Sequence, residues 1–276
     1  MGEAMSRPSV EPSDLDHTGS DLDHTGDAVL PSVTPMPMPL VGQGRGSRGS
    51  HGKVEKHRVA VLGGSFDPIT DGHLKCACEI VHMKVADEVW IVPCGRRPDK
   101  PSLKTPYMQR LIMCHLAVNT SFGSQFPIRV CDIEALEECA LSTYHLMLKL
   151  PQQYPGRRFM FVLGADLIES MKMWPAPNVP NAGELLYQNF EFVVLDRPGF
   201  DIPKNLPSNF TRLVPPVGSK IVTEDVSSSL IRNRIKNYDY GESERSELQL
   251  GHFQAVDGLL TPAVLAHIIR YRLYSS

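Results

Sequence analysis

The chain lacks several features, and each absence removes a class of protein. No run of apolar residues approaches the roughly 20 that a membrane span requires, so no membrane partner is expected. An excess of positive charge is missing too. The formal net charge is −3 and the sequence pI about 6.4, which gives no field to attract nucleic acid. The G-x-G-x-x-G fingerprint is absent, so a bound dinucleotide cofactor is not expected. No C-x-x-C pair exists among Cys76, Cys78, Cys94, Cys114, Cys131 and Cys139. Cys76 and Cys78, two apart on a predicted helix, diverge and do not chelate together. Reduced thiols in an intracellular protein, of cytoplasm or nucleus, are the expectation.

Aromatic residues are missing from residues 1–52 altogether. That segment repeats D-L-D-H-T-G at Asp14–Gly19 and Asp21–Gly26. It continues through a Pro/Met stretch and a Gly/Ser/Arg stretch. Such a composition buries too little apolar surface to offset its ordering entropy, so 1–52 is expected to be a disordered tail. It shows neither the apolar core of a signal peptide nor the acid-poor composition of a transit peptide. Residues 53–276 are expected to form one domain.

From Lys53 onward apolar runs alternate with helical patterns. Strands are predicted at Val59–Leu62, Glu88–Pro93, Ile128–Cys131, Arg158–Leu163, Phe190–Leu195, Arg212–Val214 and Lys220–Val222. Helices are predicted at Gly72–Lys84, Pro106–Asn119, Leu141–Leu150 and Thr261–Tyr274, the last with Thr261 as N-cap and Pro262 at N1. This alternation predicts an α/β protein with a doubly wound parallel sheet. Ligands of such sheets sit beyond the carboxyl ends of the strands, so chemistry is sought just after each one.

The first such place organises the chain. Val59–Leu62 is followed by Gly63, Gly64, Ser65, Phe66, Asp67 and Pro68, and a helix starts after Thr70 or Asp71. Strand, glycine turn and helix is a layout that brings backbone N–H groups and a helix N-terminus to an anion. Two adjacent glycines let the backbone approach a phosphate, and His73, in the first helical turn, offers an N–H donor to it. After the second strand, Cys94–Lys104 carries four cations and one acid, a loop suited to steering a polyanion. Asp132 to Glu134 follows the third strand, and Ser142 or Thr143 caps the next helix. Gly164-Ala165-Asp166 follows the fourth, with Asp166 a candidate N-cap and Trp174 eight residues on. Arg197 follows the fifth and suits either a phosphate or the sheet edge. Val226–Arg232 sets three serines at a helix start, with Arg232 four residues after Ser228. The two form one anion-facing patch, where an ordinary cap needs a single serine.

Taken in order, G-S-F-x-P-x-T-x-x-H, G-A-D-x-x-E-S with its Trp, D-R-P-G and V-S-S-S-L-I-R resemble the motifs of the nicotinamide/nicotinate mononucleotide adenylyltransferases. Thr70 stands where the superfamily's H-x-G-H motif has its first His. Glu134 stands near a position where family members of eukaryotic type carry a Trp. The resemblance implies a Rossmann-like nucleotidyltransferase fold and the reaction of ATP with nicotinamide mononucleotide to give NAD and pyrophosphate. It also implies the nicotinate form as a second substrate and Mg²⁺ carried by ATP. It implies catalytic roles for His73 and Arg232. ATP would be held by Gly64, Ser65, Phe66, His73, Lys100 (Lys104 is the alternative), Gly164, Asp166, Ser228, Ser229, Leu230, Ile231 and Arg232. The mononucleotide would meet Ser65, Phe66, Lys100, Thr143, Met173, Trp174 and Arg197. No protein metal site is implied, and a homo-oligomer is left open. Another nucleotidyltransferase, such as one acting on phosphopantetheine, or a non-catalytic nucleotide-binding or chaperone-like protein on this fold, remain the alternatives.

Overall fold

The apolar runs pair into one sheet. The computed structural model describes residues 56–196, 199–200, 202–203, 205–214, 227–236 and 255–274. Its strands are β1 (His57–Gly64), β2 (Glu88–Pro93), β3 (Ile128–Val130), β4 (Arg157–Gly164), β5 (Glu191–Leu195) and β6 (Phe210–Arg212). Its helices are α1 (Asp71–His82), α2 (Tyr107–Ser121), α3 (Thr143–Gln153), α4 (Ile168–Met171), α5 (Ala182–Asn189), α6 (Ser228–Lys236) and α7 (Pro262–Arg270). The strands lie in the order β3-β2-β1-β4-β5-β6, and every pairing is parallel. Chain order reverses between β1 and β4, which is where a sheet of this kind opens its ligand crevice.

Successive residues of a strand face opposite sides, and both sides are covered. Ala60, Leu62, Val89, Ile91, Met160 and Val162 join one core, with Ile80 of α1, Met113 of α2, Ile231 of α6 and Ile268 of α7. Val59, Val61, Trp90, Val92, Phe161 and Leu163 join the other, with Leu150 of α3, Met171 of α4 and Leu186 of α5. Two-sided burial explains why these strands are continuous apolar runs rather than alternating ones. Each fully buried Val, Leu, Ile, Phe or Met side chain contributes about 1.5–3 kcal/mol through burial. The caps follow the sequence: Thr261 Oγ1 accepts from Val264 N at 3.4 Å, and Ser142 Oγ from His145 N at 3.3 Å. The cysteines are free thiols, with Cys76 in the core and Cys78 only partly covered.

Three expectations change. Strand β1 runs on through Gly63 and Gly64, so the turn begins later than the sequence implied. Helix α5 was not foreseen. Strand β6 starts two residues before Arg212. The expected tail 1–52, the strand at Lys220–Val222 and Arg197 lie outside the described residues.

Candidate active site

Ser65, Phe66, Asp67, His73, Lys100, Ser102, Leu103, Ser228, Ser229 and Arg232 line one cavity of about 250 Å³, next to the carboxyl end of β1. Seven of these were expected from the sequence. They arrive from four segments: the β1–α1 loop, the first turn of α1, the β2–α2 loop and the first turns of α6.

Thr70 sets the imidazole. It is the N-cap of α1, and its Oγ1 accepts from His73 N. In return, its backbone N–H donates to His73 Nδ1 at 3.0 Å, with its Oγ1 2.7 Å from the same nitrogen. This is a capping box in which a histidine takes the place of the usual Glu or Gln. Because Nδ1 accepts from an amide, the neutral ring carries its proton on Nε2. The threonine thus fixes both the orientation and the tautomer.

The glycines work differently from the expectation. A Cβ on Gly63 would stand 3.0 Å from the Phe161 ring, and one on Gly64 would stand 3.1 Å from the Phe66 ring. Their missing side chains make room for aromatics, and Gly64 is not among the cavity-lining residues. Phe66 is held at φ 45°, a left-handed conformation a bulky residue rarely adopts. Its ring is 2% exposed and meets His73 edge-on, 5.1 Å between centroids.

Of the loop cations, Lys100 is the one that turns inward, its Nζ donating to Ser65 Oγ at 3.2 Å. Arg97 is engaged by Asp99, and Lys104 is exposed and absent from the cavity wall. In α6 the three serines divide their tasks. Ser227 Oγ accepts from Leu230 N at 3.1 Å, as a cap. Ser228 Oγ donates to Pro68 O at 2.8 Å, tying α6 to the β1–α1 loop. Ser229 Oγ accepts from Arg232 Nη2 at 3.0 Å, while Arg232 Nη1 donates to Asp67 O at 2.6 Å. Ile231 faces the core and is fully buried, and its amide is bonded to Ser227 O, so it offers nothing to a ligand. Leu230 is at the surface, outside the cavity wall.

Gly164 ends β4, and the single turn Ala165–Leu167 follows with Gly164 at its N-cap and no side-chain cap bond. Asp166 is therefore in the turn and exposed, not the cap. Trp174 is partly covered by the second core, while Met173 beside it is 84% exposed. Thr143 opens α3, which Ser142 caps. None of these five lines the cavity.

Two residues support the cavity's loops: Arg110, which escaped the sequence reading, and Glu134, which was singled out there without this role. Arg110 of α2 is 1% exposed and donates to the carbonyls of Ser65 (2.7 Å), Cys94 (2.7 Å), Gly95 (3.2 Å) and Thr105 (3.2 Å). It binds together the loops that leave β1 and β2. Its signal was a cation on the apolar face of a helix, beside Leu111, Met113 and Cys114. Glu134 is 3% exposed and accepts from Gly95 N at 2.8 Å and Leu141 N at 3.0 Å. Burial raises its pKa above the usual carboxylate range, and the two amides pull it back. The result is a cavity with two cations, an oriented imidazole N–H and the positive ends of α1 and α6, which suits a polyphosphate.

The comparisons agree with that chemistry. Residues 61–234 match the family model described as cytidylyltransferase-like. The chain belongs to this family. A probable nicotinate-nucleotide adenylyltransferase of Bacillus licheniformis is 30% identical over 220 residues, 79% of this chain and 99% of that one. The nicotinate-nucleotide adenylyltransferase of Bacillus subtilis is 29% identical over 181 residues, 65% of this chain and 86% of its own. The nicotinic acid mononucleotide adenylyltransferase of Plasmodium falciparum, solved in complex with NaAD, aligns with a TM-score of 0.60 and 26% identity. The alignment covers 79% of this chain and 97% of that one. Within the family the chain is thus a member of the nicotinate-nucleotide adenylyltransferases, as its motifs suggested, and the nucleotidyltransferase fold is the one expected. Among the described residues no helix is long and apolar enough to cross a membrane.

Proposed function

We propose that the chain transfers the adenylyl group of ATP to nicotinate mononucleotide, giving NaAD and pyrophosphate, with nicotinamide mononucleotide as a second acceptor. The observation that carries this reading is the meeting of His73, Lys100 and Arg232 on one cavity beside the sheet's crossover point. The names of the relatives favour the nicotinate form. ATP enters as its Mg²⁺ complex. Among the described residues no group of three or more His, Cys, Asp or Glu side chains gathers.

In the transfer, a phosphate oxygen of the mononucleotide forms a bond to the α-phosphorus, and the bridging bond from the α-phosphorus to the departing pyrophosphate breaks. The nucleophile is already an anion near neutral pH, so no general base is required. Alignment and charge stabilisation supply the catalysis. His73 donates from Nε2 to the phosphoryl oxygens that gain charge. Lys100, Ser229 and Arg232 hold the departing pyrophosphate, with Ser65, Phe66 and Ser228 shaping the wall. Trp174 offers an indole face to the pyridine ring, with Thr143, Met173 and Arg197 as further contacts of the mononucleotide. Gly164 and Asp166 approach ribose hydroxyls.

Pyrophosphate release from MgATP tests the reading with three acceptors: nicotinate mononucleotide, nicotinamide mononucleotide and phosphopantetheine. Release with a pyridine mononucleotide and none with phosphopantetheine is expected. Release with phosphopantetheine, or none with either mononucleotide, overturns it.

A further inference from the structure

The segment after α7 turns back over the β1–α1 loop. Arg272 and Tyr274 take left-handed backbone angles, φ 49° and φ 69°, which residues with bulky side chains keep only where the surroundings hold them. Tyr274 is held through its phenol. The hydroxyl donates to Asp67 Oδ1 at 2.7 Å, and the Thr105 side chain bonds to the same phenol. Burial and the nearby Asp67 carboxylate push the phenol's pKa upward, so it stays a donor at working pH. Asp67 itself is 3% exposed and lines the cavity.

The other carboxylate oxygen, Oδ2, stands 3.9 Å from Arg232 Nη1. That is beyond hydrogen-bond range, although a buried carboxylate beside a guanidinium favours a close bidentate pair. Arg232 instead bonds to the backbone oxygen of Asp67 and to Ser229 Oγ. Among the described residues, the phenol donates a hydrogen bond to the carboxylate itself, on Oδ1. We propose that Tyr274 is a positioning residue of the polyphosphate site: by holding Asp67, it keeps the Arg232 guanidinium available to ATP. Without the hydroxyl, Asp67 swings onto Arg232, and the protein's own anion neutralises a cation the polyphosphate needs. This rests on the assignment of the cavity to ATP.

Tyr274→Phe removes the hydroxyl and keeps the ring. Calorimetric binding of ATP and of inorganic pyrophosphate is measured beside both KM values and the melting temperature. Both dissociation constants are expected to rise about 5- to 20-fold, the scale of coupling between groups in one network, and KM for the mononucleotide to stay within about twofold. In an Asp67→Asn background the neutral amide has no charge to place on Arg232. There, Tyr274→Phe is expected to change ATP affinity by less than about twofold. Unchanged polyphosphate affinity with a lowered melting temperature marks a merely structural tyrosine and overturns the proposal, as does an equal weakening in both backgrounds. If Asp67→Asn does not fold, unchanged pyrophosphate affinity in Tyr274→Phe alone overturns it. Direct binding separates this from the acceptor question. A wild-type protein that binds ATP but adenylylates no mononucleotide defeats the functional reading and leaves the Tyr274 comparison decisive. One that binds neither ATP nor pyrophosphate defeats both.

Discussion

Thr70 holds the His73 ring through two atoms, and the pair sets the sharpest expectation at the scale of single residues. His73→Ala removes a preoriented donor to developing charge. We expect kcat to fall about 10²-fold or more, with ATP binding much less affected. A near-normal kcat contradicts the role. Glu134 gives a pH-dependent test. Its folded pKa lies above the ordinary 4.5 because burial disfavours the charged form. The folded protein therefore holds the proton more tightly than the unfolded chain, and stability falls as pH rises through that raised value. Glu134→Gln keeps an acceptor for Gly95 and Leu141 without the charge. Its melting temperature relative to wild type is expected to rise between about pH 4.5 and neutrality; a difference that stays flat with pH contradicts the assignment. His73 and Arg232 could be singled out from their places at helix starts after a strand or a serine run, whereas Lys100 came only from the family resemblance, with Lys104 as its alternative. Arg110 was not legible, since it satisfies four carbonyls, a role visible only once the loops meet.

Among the elements, β2 matched its sequence reading residue for residue, because burial on both faces leaves an unbroken apolar run. Helix α5 escaped although Asn181, with Glu184 three residues on, is a start signal, because the helix is short and follows directly on a loop-like stretch. Its N-cap is Asn181 in a left-handed conformation with no side-chain cap bond, after a proline-rich stretch. What fixes α5 is tertiary: a Cβ on Gly183 would lie 2.4 Å from the carbonyl oxygens of Met171 and Lys172. Gly183→Ala is therefore expected to push α5 off the end of α4 and cost about 1–3 kcal/mol in urea unfolding, the range for overpacking. A neutral result means the two backbones are not in contact. Arg110→Leu tests the brace between the loops that leave β1 and β2. It leaves buried carbonyls unpaired, so a loss of roughly 3 kcal/mol or more is expected, together with a lower kcat as Ser65 and Lys100 lose their register. An equally stable and active variant contradicts the brace.

At the scale of the whole molecule, the sheet's crossover between β1 and β4 opens the crevice in which the two proposed substrates would meet. The loops after β1 and β2 and the start of α6 form the cavity proposed for the polyphosphate, while the segment after β4 carries Trp174, proposed for the pyridine ring. The fold class was plain from the alternation of elements, because each apolar run announces a buried strand. Residues 1–52 lack aromatics and long apolar runs, so their removal is expected to leave melting temperature and kcat/KM unchanged; a folded but inactive truncation contradicts that. The division of the site between two substrates is tested most directly by Trp174→Ala, with KM measured for each substrate and melting recorded alongside. Stacking of an indole on a base-like ring is worth about 1–3 kcal/mol, so KM for the mononucleotide is expected to rise roughly 5- to 100-fold while KM for ATP stays nearly unchanged. A destabilised variant with both KM values unchanged, or one in which both rise together, would contradict the assignment of the pyridine nucleotide to this side of the sheet.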